Sequence, residues 1–265
     1  MRVARFSDSA DPRYGLVELA EDDGSHPDTV SVLTGDPLAG PVNLTGERLA
    51  LSAVRLLAPV IPRSKVVGVG RNFAEHAAEL GNEVPPTPLV FFKPNTSVIG
   101  PDEAIVHPTV SQQVSFEGEL AVVIGRICKE VPEDRVAEVI FGYTVANDVT
   151  ARDLQKPDGQ WARAKGFDTF CPLGPWIVTH LDLAEAGDLM ITTTVDGVIK
   201  QQGSTALMVR DIASLITYIT SFTTLLPGDV ILTGTPAGVD SMVPGQSVTV
   251  QIAGIGSLTN PVVAA

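Results

Sequence analysis

The sequence predicts an α+β fold that is built on a large mixed β-sheet. Short apolar segments of strand-forming residues dominate the chain after residue 65, and stretches with helical periodicity are few. Because the strands are irregularly spaced and few helices separate them, a doubly wound sheet is disfavoured. The predicted strands are Leu89–Phe92, Glu117–Ile124, Gly142–Ala146, Pro175–Val178, Met190–Val195, Asp229–Thr233 and Ser247–Ile252.

The chain divides into two predicted units. Residues 1–60 form a small β-rich N-terminal domain, in which turn-forming residues at 11–12, 22–24 and 35–37 separate short apolar segments. Those segments are Arg2–Phe6, Tyr14–Leu19 and Thr29–Leu33. The stretch Leu57–Ser64 carries two prolines and is predicted to be a linker. A second, larger domain is therefore expected at 65–265.

Two segments have helical character. Pro132–Ile140 has a proline and acidic residues in its first turn, which is typical of a helix start. In Met208–Phe222 the apolar residues recur at the spacing of one helix face.

Charge limits the partners that we expect. Eighteen basic and 31 acidic residues give a formal net charge of −13, so nucleic acid and anionic membranes are poor partners. A small anionic substrate is compatible with this charge, because a bound cation inverts the local field.

Cys128 and Cys171 form no metal or disulfide pattern and are expected to be buried free thiols. With no secretion signal or membrane-spanning run, we expect a cytoplasmic protein.

Three carboxylates stand out as a candidate metal site. Glu117 and Glu119 are two residues apart in an otherwise apolar strand, so both side chains project from the same face. Asp148 ends another apolar stretch, 29 residues later. The simpler alternatives are a solvated strand face and a turn-forming aspartate. We favour a metal site, and hard oxygen ligands favour Mg²⁺, Mn²⁺ or Ca²⁺ over zinc.

The chain resembles the fumarylacetoacetate hydrolase family over residues 65 to about 263. The resemblance is to its acylpyruvase and 2-hydroxyhepta-2,4-diene-1,7-dioate isomerase members in particular. The matching motifs, in chain order, are Gly70-Arg-Asn-Phe-Ala-Glu-His76, Phe91-Phe-Lys-Pro-Asn95, Glu117-Gly-Glu119, Asn147-Asp-Val-Thr-Ala-Arg-Asp153, Lys165-Gly-Phe-Asp168 and Leu232-Thr-Gly-Thr-Pro236. The resemblance implies a mixed β-sheet roll, a homodimer, a Mg²⁺ or Mn²⁺ site, and Glu117, Glu119 and Asp148 as its ligands.

The resemblance also implies roles for seven further residues. His76 and Glu79 match the catalytic pair of the family, and their three-residue spacing places them on one face of a helical turn. An exposed ion pair is the alternative from the sequence alone. Lys165, otherwise read as a surface lysine, would stabilise negative charge on substrate oxygens. The substrate-binding positions would be Arg71, Arg152, Gln155 and Thr235.

Residues 65–265 would then be a metal-binding catalytic domain. Its predicted function is divalent-metal-dependent hydrolysis of the carbon–carbon bond of an acylpyruvate-type 2,4-dioxo acid, via a metal-chelated enolate. Two alternatives would also rely on a metal ion that accepts electron density from the substrate. They are isomerisation of 2-hydroxyhepta-2,4-diene-1,7-dioate and decarboxylation or tautomerisation of oxaloacetate. A non-enzymatic oxo-acid or metal-binding protein is a further alternative. Hydrolysis is preferred because His76 and Glu79 provide a base for water.

Overall fold

The structure is a computed structural model that describes residues 1–8, 11–20 and 26–265. These residues form nineteen strands and five short α-helices. The strands are β1 (Arg2–Ser7), β2 (Arg13–Glu18), β3 (Thr29–Leu33), β4 (Leu44–Ala50), β5 (Arg55–Leu57), β6 (Val66–Gly70), β7 (Leu89–Lys93), β8 (Val98–Ile99), β9 (Ile105–His107), β10 (Val114–Ser115), β11 (Gly118–Ile124), β12 (Ile140–Asn147), β13 (Thr150–Ala151), β14 (Cys171–Val178), β15 (Met190–Val195), β16 (Val198–Ser204), β17 (Val230–Leu232), β18 (Ser247–Ile252) and β19 (Gly256–Ala264). The helices are α1 (Ala74–Glu79), α2 (Arg152–Gln155), α3 (Ala162–Gly166), α4 (Leu183–Ala186) and α5 (Ile212–Phe222).

A twelve-stranded mixed sheet forms the frame of the molecule, as predicted. Its main order is β4-β3-β2-β1-β14-β12-β11-β17-β6-β7, with β5 beside β1 and β8 beside β14. Most pairs are antiparallel, but β17 runs parallel to β6, and β8 runs parallel to β14. A five-stranded sheet, ordered β16-β15-β18-β19-β9, packs against β11, β12 and β14. Leu120 of the first sheet and Ile191 and Val250 of the second belong to one buried core.

The N-terminal strands continue the large sheet. Strand β1 pairs with β14, with Val3 opposite Ile177, and β2, β3 and β4 follow in order on its other side. In the stretch predicted as a linker, Ala58 and Val60 are buried. The turn predicted at residues 22–24 lies outside the described residues.

Several predicted elements are confirmed, and others needed correction. Thr29–Leu33, Met190–Val195 and Ser247–Ile252 are strands with the predicted bounds. The helix predicted from residue 208 begins at Ile212, because the Asp211 side chain accepts a hydrogen bond from Ser214 N and caps it there. The segment after Pro132 is a 3₁₀ helix rather than an α-helix. The prediction missed nine of the nineteen strands that the described residues form. β5, β6, β8, β9, β10 and β13 are only two to five residues long, and β4, β16 and β19 lack a clean apolar alternation.

Both cysteines are free and buried, as predicted. No helix in the described part of the chain is long and apolar enough to cross a membrane.

Candidate metal centre and active site

Three carboxylates converge where β11 and β12 meet. Glu117 directly precedes β11, Glu119 lies within it, and Asp148 directly follows β12. The two strands are antiparallel, with Gly118 opposite Asn147, so Asp148 lies beside Glu117 and its N–H donates to Glu117 O at 2.8 Å. One oxygen from each carboxylate lies within 4.8 Å of the others, and all three side chains are buried. The structure therefore brings together the three ligands that the sequence predicted.

Close packing of the second sheet explains why a glycine, Gly118, separates the two glutamates. A Cβ at this position would lie 2.2 Å from Thr193 Oγ1 and 2.9 Å from Val250 Cγ1, both on the second sheet. A strand sends alternate side chains to opposite faces, so the face opposite the carboxylates meets the packed sheet at Gly118. The motif thus combines two carboxylates on one face with close sheet packing on the other.

Three basic side chains surround the carboxylates. Lys165 Nζ, which is buried, donates to Glu117 Oε2 at 2.8 Å and to Asp148 Oδ2 at 2.5 Å. Lys93 Nζ, also buried, donates to Asp148 Oδ1 at 2.5 Å. The Arg152 guanidinium donates to Glu117 Oε1. Lys165 is therefore a buried residue of the site and not a surface lysine.

The two glutamates differ in electrostatic environment. Burial alone would raise the pKa of Glu117, but the Arg152 guanidinium and the Lys165 ammonium hold it well below its usual range. Burial raises the pKa of Glu119 well above its usual value, and the charges of Asp148 and Glu117 raise it further. Within the described residues no cationic side chain forms an ion pair with Glu119; its Oε2 accepts one hydrogen bond, from Gly234 N at 2.7 Å.

This environment fits a divalent cation. An anionic Glu119 needs a positive charge beside it in a buried site, and the charged neighbours of the cluster contact the other two carboxylates. The donor set is composed of carboxylate oxygens, which Mg²⁺ and Mn²⁺ prefer. Glu117, Glu119 and Asp148 could hold such an ion.

His76 and Glu79 lie on α1, as their spacing predicted. His76 Nδ1 is 3.4 Å from Glu79 Oε2, and burial lowers the pKa of the imidazole. Glu79 also accepts from Gly238 N, at 3.0 Å through Oε1 and 3.2 Å through Oε2. The carboxylate therefore orients the imidazole and ties α1 to the loop after Thr235.

The loop carrying Thr235 is fixed by hydrogen bonds that the sequence did not predict. Thr235 Oγ1 donates to Gly118 O at 2.8 Å, and Gln201 Nε2 donates to Thr235 Oγ1 at 2.8 Å and to Pro236 O at 2.7 Å. Gln201 Oε1 accepts from Gly118 N at 3.0 Å. One buried amide of β16 thus joins the strand of the two glutamates to the loop of Thr235, a predicted substrate-binding residue.

A cavity of about 640 Å³ opens onto this cluster. Nine of the ten predicted site residues line it: Arg71, His76, Glu117, Glu119, Asp148, Arg152, Gln155, Lys165 and Thr235. The tenth, Glu79, contacts the cavity residue His76. Arg152 Nη1 donates to Gln155 Oε1 at 3.0 Å, so these two predicted substrate-binding residues also contact each other.

Comparison with known proteins agrees with the fold. The family model described as Fumarylacetoacetate (FAA) hydrolase C-terminal matches residues 65–263. The chain belongs to the fumarylacetoacetate hydrolase family. A second model, described as Rv2993c-like, N-terminal, matches residues 1–59.

Relatives within the fumarylacetoacetate hydrolase family cover most of the chain. Protein Rv2993c of Mycobacterium tuberculosis is 54% identical over 224 residues, which is 84% of each chain. The crystal structure of 5-carboxymethyl-2-hydroxymuconate delta-isomerase from Mycobacterium smegmatis is 47% identical, covers all of both chains and superimposes with a TM-score of 0.90. Fumarylpyruvate hydrolase from Pseudomonas aeruginosa, in complex with Mn²⁺ and pyruvate, is 31% identical over 77% of this chain and 91% of its own, with a TM-score of 0.73.

Proposed function

We propose that the protein hydrolyses the carbon–carbon bond of an acylpyruvate-type 2,4-dioxo acid with Mg²⁺ or Mn²⁺ as its cofactor. The observation that carries the proposal is a buried histidine, oriented by a glutamate, in the same cavity as a three-carboxylate cluster. The cluster provides a place for the cation, and the histidine provides a base for water. The Mn²⁺ and pyruvate named with the Pseudomonas relative support this pairing of metal and product class.

Glu117, Glu119 and Asp148 would hold the ion through their carboxylate oxygens. When bound there, the ion would supply a Lewis acid for the carboxylate and 2-oxo oxygens of the substrate. Lys165 lines the same cavity and directs its ammonium at the cluster. It would stabilise negative charge that develops on the substrate oxygens.

His76 would act as the general base. Because burial lowers its pKa, the imidazole is neutral at pH 7 and able to accept a proton. Its Nδ1 faces Glu79, which leaves Nε2 for a water molecule. The activated water attacks the distal carbonyl, the carbon–carbon bond breaks, and its electron pair stays on the pyruvate fragment. The proton held by His76 then returns to that fragment, so that a carboxylic acid and pyruvate are released.

Isomerisation of a 2-hydroxy-dienoate is a second candidate, because the Mycobacterium smegmatis relative is named as an isomerase. This reaction needs a proton to move from the 2-hydroxyl oxygen to a carbon of the diene and no attacking water. Decarboxylation or tautomerisation of oxaloacetate would likewise use the cation and Lys165 without hydrolysis.

The test is a panel assay after chelation and reloading with Mn²⁺ or Mg²⁺. Acylpyruvates of different R groups, oxaloacetate and a 2-hydroxy-dienedioate are each offered to the wild type and to His76→Ala. Hydrolysis is read as one pyruvate and one carboxylic acid per acylpyruvate consumed, and isomerisation as a change in ultraviolet absorption without pyruvate. A metal-loaded wild type that turns over the dienedioate and no acylpyruvate would contradict the proposal.

A further inference from the structure

Lys93 is a buried charged residue that the proposed mechanism does not use. It is the last residue of β7, pairs with Val66 of β6, and is 1% exposed. A buried ammonium is costly unless a counter-charge and hydrogen bonds compensate it. Its compensation is Asp148 Oδ1 at 2.5 Å and the carbonyl oxygen of Val149 at 3.3 Å.

The two lysines contact Asp148 from different sides. Lys165 donates to Oδ2, also reaches Glu117 Oε2 and Thr150 Oγ1, and lines the cavity. Lys93 donates to Oδ1 and is absent from the described residues that line the cavity. Lys165 is therefore placed to contact substrate, whereas Lys93 reaches the site only through Asp148.

We infer that Lys93 is a positioning residue that fixes the carboxylate plane of Asp148 for divalent-cation binding. A free aspartate carboxylate rotates readily about its last torsion. With Oδ1 held by Lys93, Oδ2 lies on the side of the carboxylate where Lys165 joins Asp148 to Glu117. Groups that hydrogen-bond a metal ligand in this way contribute about 10- to 100-fold to metal affinity. The inference rests on the proposed function, because that function requires the cation site.

The electrostatic effect and the positioning effect of Lys93 predict opposite changes in affinity for a divalent cation when Lys93 loses its charge. Removing a positive charge near the site reduces repulsion of a divalent cation, so charge alone predicts tighter binding in Lys93→Met. Loss of orientation predicts weaker binding. Methionine is close to lysine in length and apolar, so it fills most of the same buried space.

Lys65 provides a matched control. Its Nζ donates to the fully buried Asp229 at 2.8 Å, which is the same type of lysine–aspartate pair, but neither residue lines the cavity among the described residues. Lys65→Met should therefore lower stability without changing affinity for the cation.

The experiment measures Mn²⁺ binding to the chelator-stripped full chain, by calorimetry and by the electron paramagnetic resonance signal of free Mn²⁺. We expect Lys93→Met to weaken the affinity by about 10- to 100-fold, with wild-type affinity in Lys65→Met. Circular dichroism verifies that each variant is folded. Wild-type or tighter binding in Lys93→Met would overturn the inference while leaving the proposed function intact, and a wild type that binds no Mn²⁺ would overturn both.

A second variant covers the case in which Lys93→Met does not fold. Lys93→Gln keeps a neutral N–H donor on a slightly shorter side chain, so its Mn²⁺ affinity should fall below that of the wild type by a smaller factor. Binding equal to or tighter than the wild type would again refute positioning by Lys93. Because the readout is equilibrium binding, the result does not depend on which reaction the enzyme catalyses.

Discussion

Replacement of His76 by alanine tests the step that separates hydrolysis from the related reactions. If His76 takes the proton from water, His76→Ala should lower kcat for acylpyruvate hydrolysis on the order of 10²–10⁴-fold, the usual contribution of a positioned base. This corresponds to about 3–5 kcal/mol of transition-state stabilisation. Mn²⁺ affinity should change little, because the imidazole is separate from the three-carboxylate cluster.

The hydrogen bonds of Glu79 determine which substitution of this residue is the better test. Its carboxylate lies 3.4 Å from His76 Nδ1 but only 3.0 Å from Gly238 N, so Glu79→Ala would also release α1 from the loop. Glu79→Gln keeps an acceptor for Gly238 N and removes the charge, which makes it the better variant. Its loss in kcat should be smaller than that of His76→Ala, and the double variant should lose less than the product of the two, because the pair works as a unit.

The pH profile provides a second measurement. Burial lowers the pKa of His76 below its ordinary 6.5, and a bound cation would lower it further. Only the neutral imidazole accepts a proton, so kcat/KM should be maintained at neutral pH and fall as the pH drops through the lowered pKa, on the acid side of 6.5. An acidic limb above that value, or equal losses in hydrolysis and oxaloacetate decarboxylation by His76→Ala, would refute the assignment.

Three further predictions follow from the site and the sheet. Glu119→Ala should lose stoichiometric Mn²⁺, as measured by metal analysis after gel filtration, and full retention would remove Glu119 from the ligand set. Arg71 lines the cavity, has a positive φ of 58° and forms no ion pair with any described residue. Arg71→Met should therefore reduce kcat/KM about 10- to 100-fold for acylpyruvates with a terminal carboxylate. The reduction for acetylpyruvate should be much smaller. The chain should sediment as a homodimer at micromolar concentration, because the second sheet ends at β16, where Val198 and Ile199 are exposed on an edge strand; a monomer would contradict this.

The carboxylates were predictable because each stands out from its local context. Glu117 and Glu119 interrupt an apolar segment with the two-residue period of a strand, and Asp148 closes another. Sequence spacing could not show that β11 and β12 are antiparallel neighbours with Gly118 opposite Asn147. That register places Asp148 beside the glutamates.

Lys93 and Gln201 were not identified, for a different physical reason. A lysine that follows Leu-Val-Phe-Phe and precedes a proline has the pattern of an exposed strand end, and lysine is rarely buried. Gln201 lies in the polar segment Lys-Gln-Gln-Gly, which shows no strand alternation. Pairing with β15 makes this segment a strand and directs Gln201 at Gly118. Both residues become part of the site only through long-range pairing, which local periodicity does not encode.

The charges of the site indicate why it would favour a transition state over a bound substrate. The carboxylates of Glu117, Glu119 and Asp148 are balanced by three cationic side chains, namely Lys93, Lys165 and Arg152. A divalent cation would therefore leave the cluster with two net positive charges. The reacting end of a bound 2-oxo acid carries one negative charge, and a second develops on its 2-oxo oxygen as the electron pair moves onto the pyruvate fragment. The two positive charges match the second state better than the first, which is the condition for catalysis. Hydrolysis, isomerisation and decarboxylation share this charge development, so under the proposed function selection among them would depend on His76, which we propose activates water.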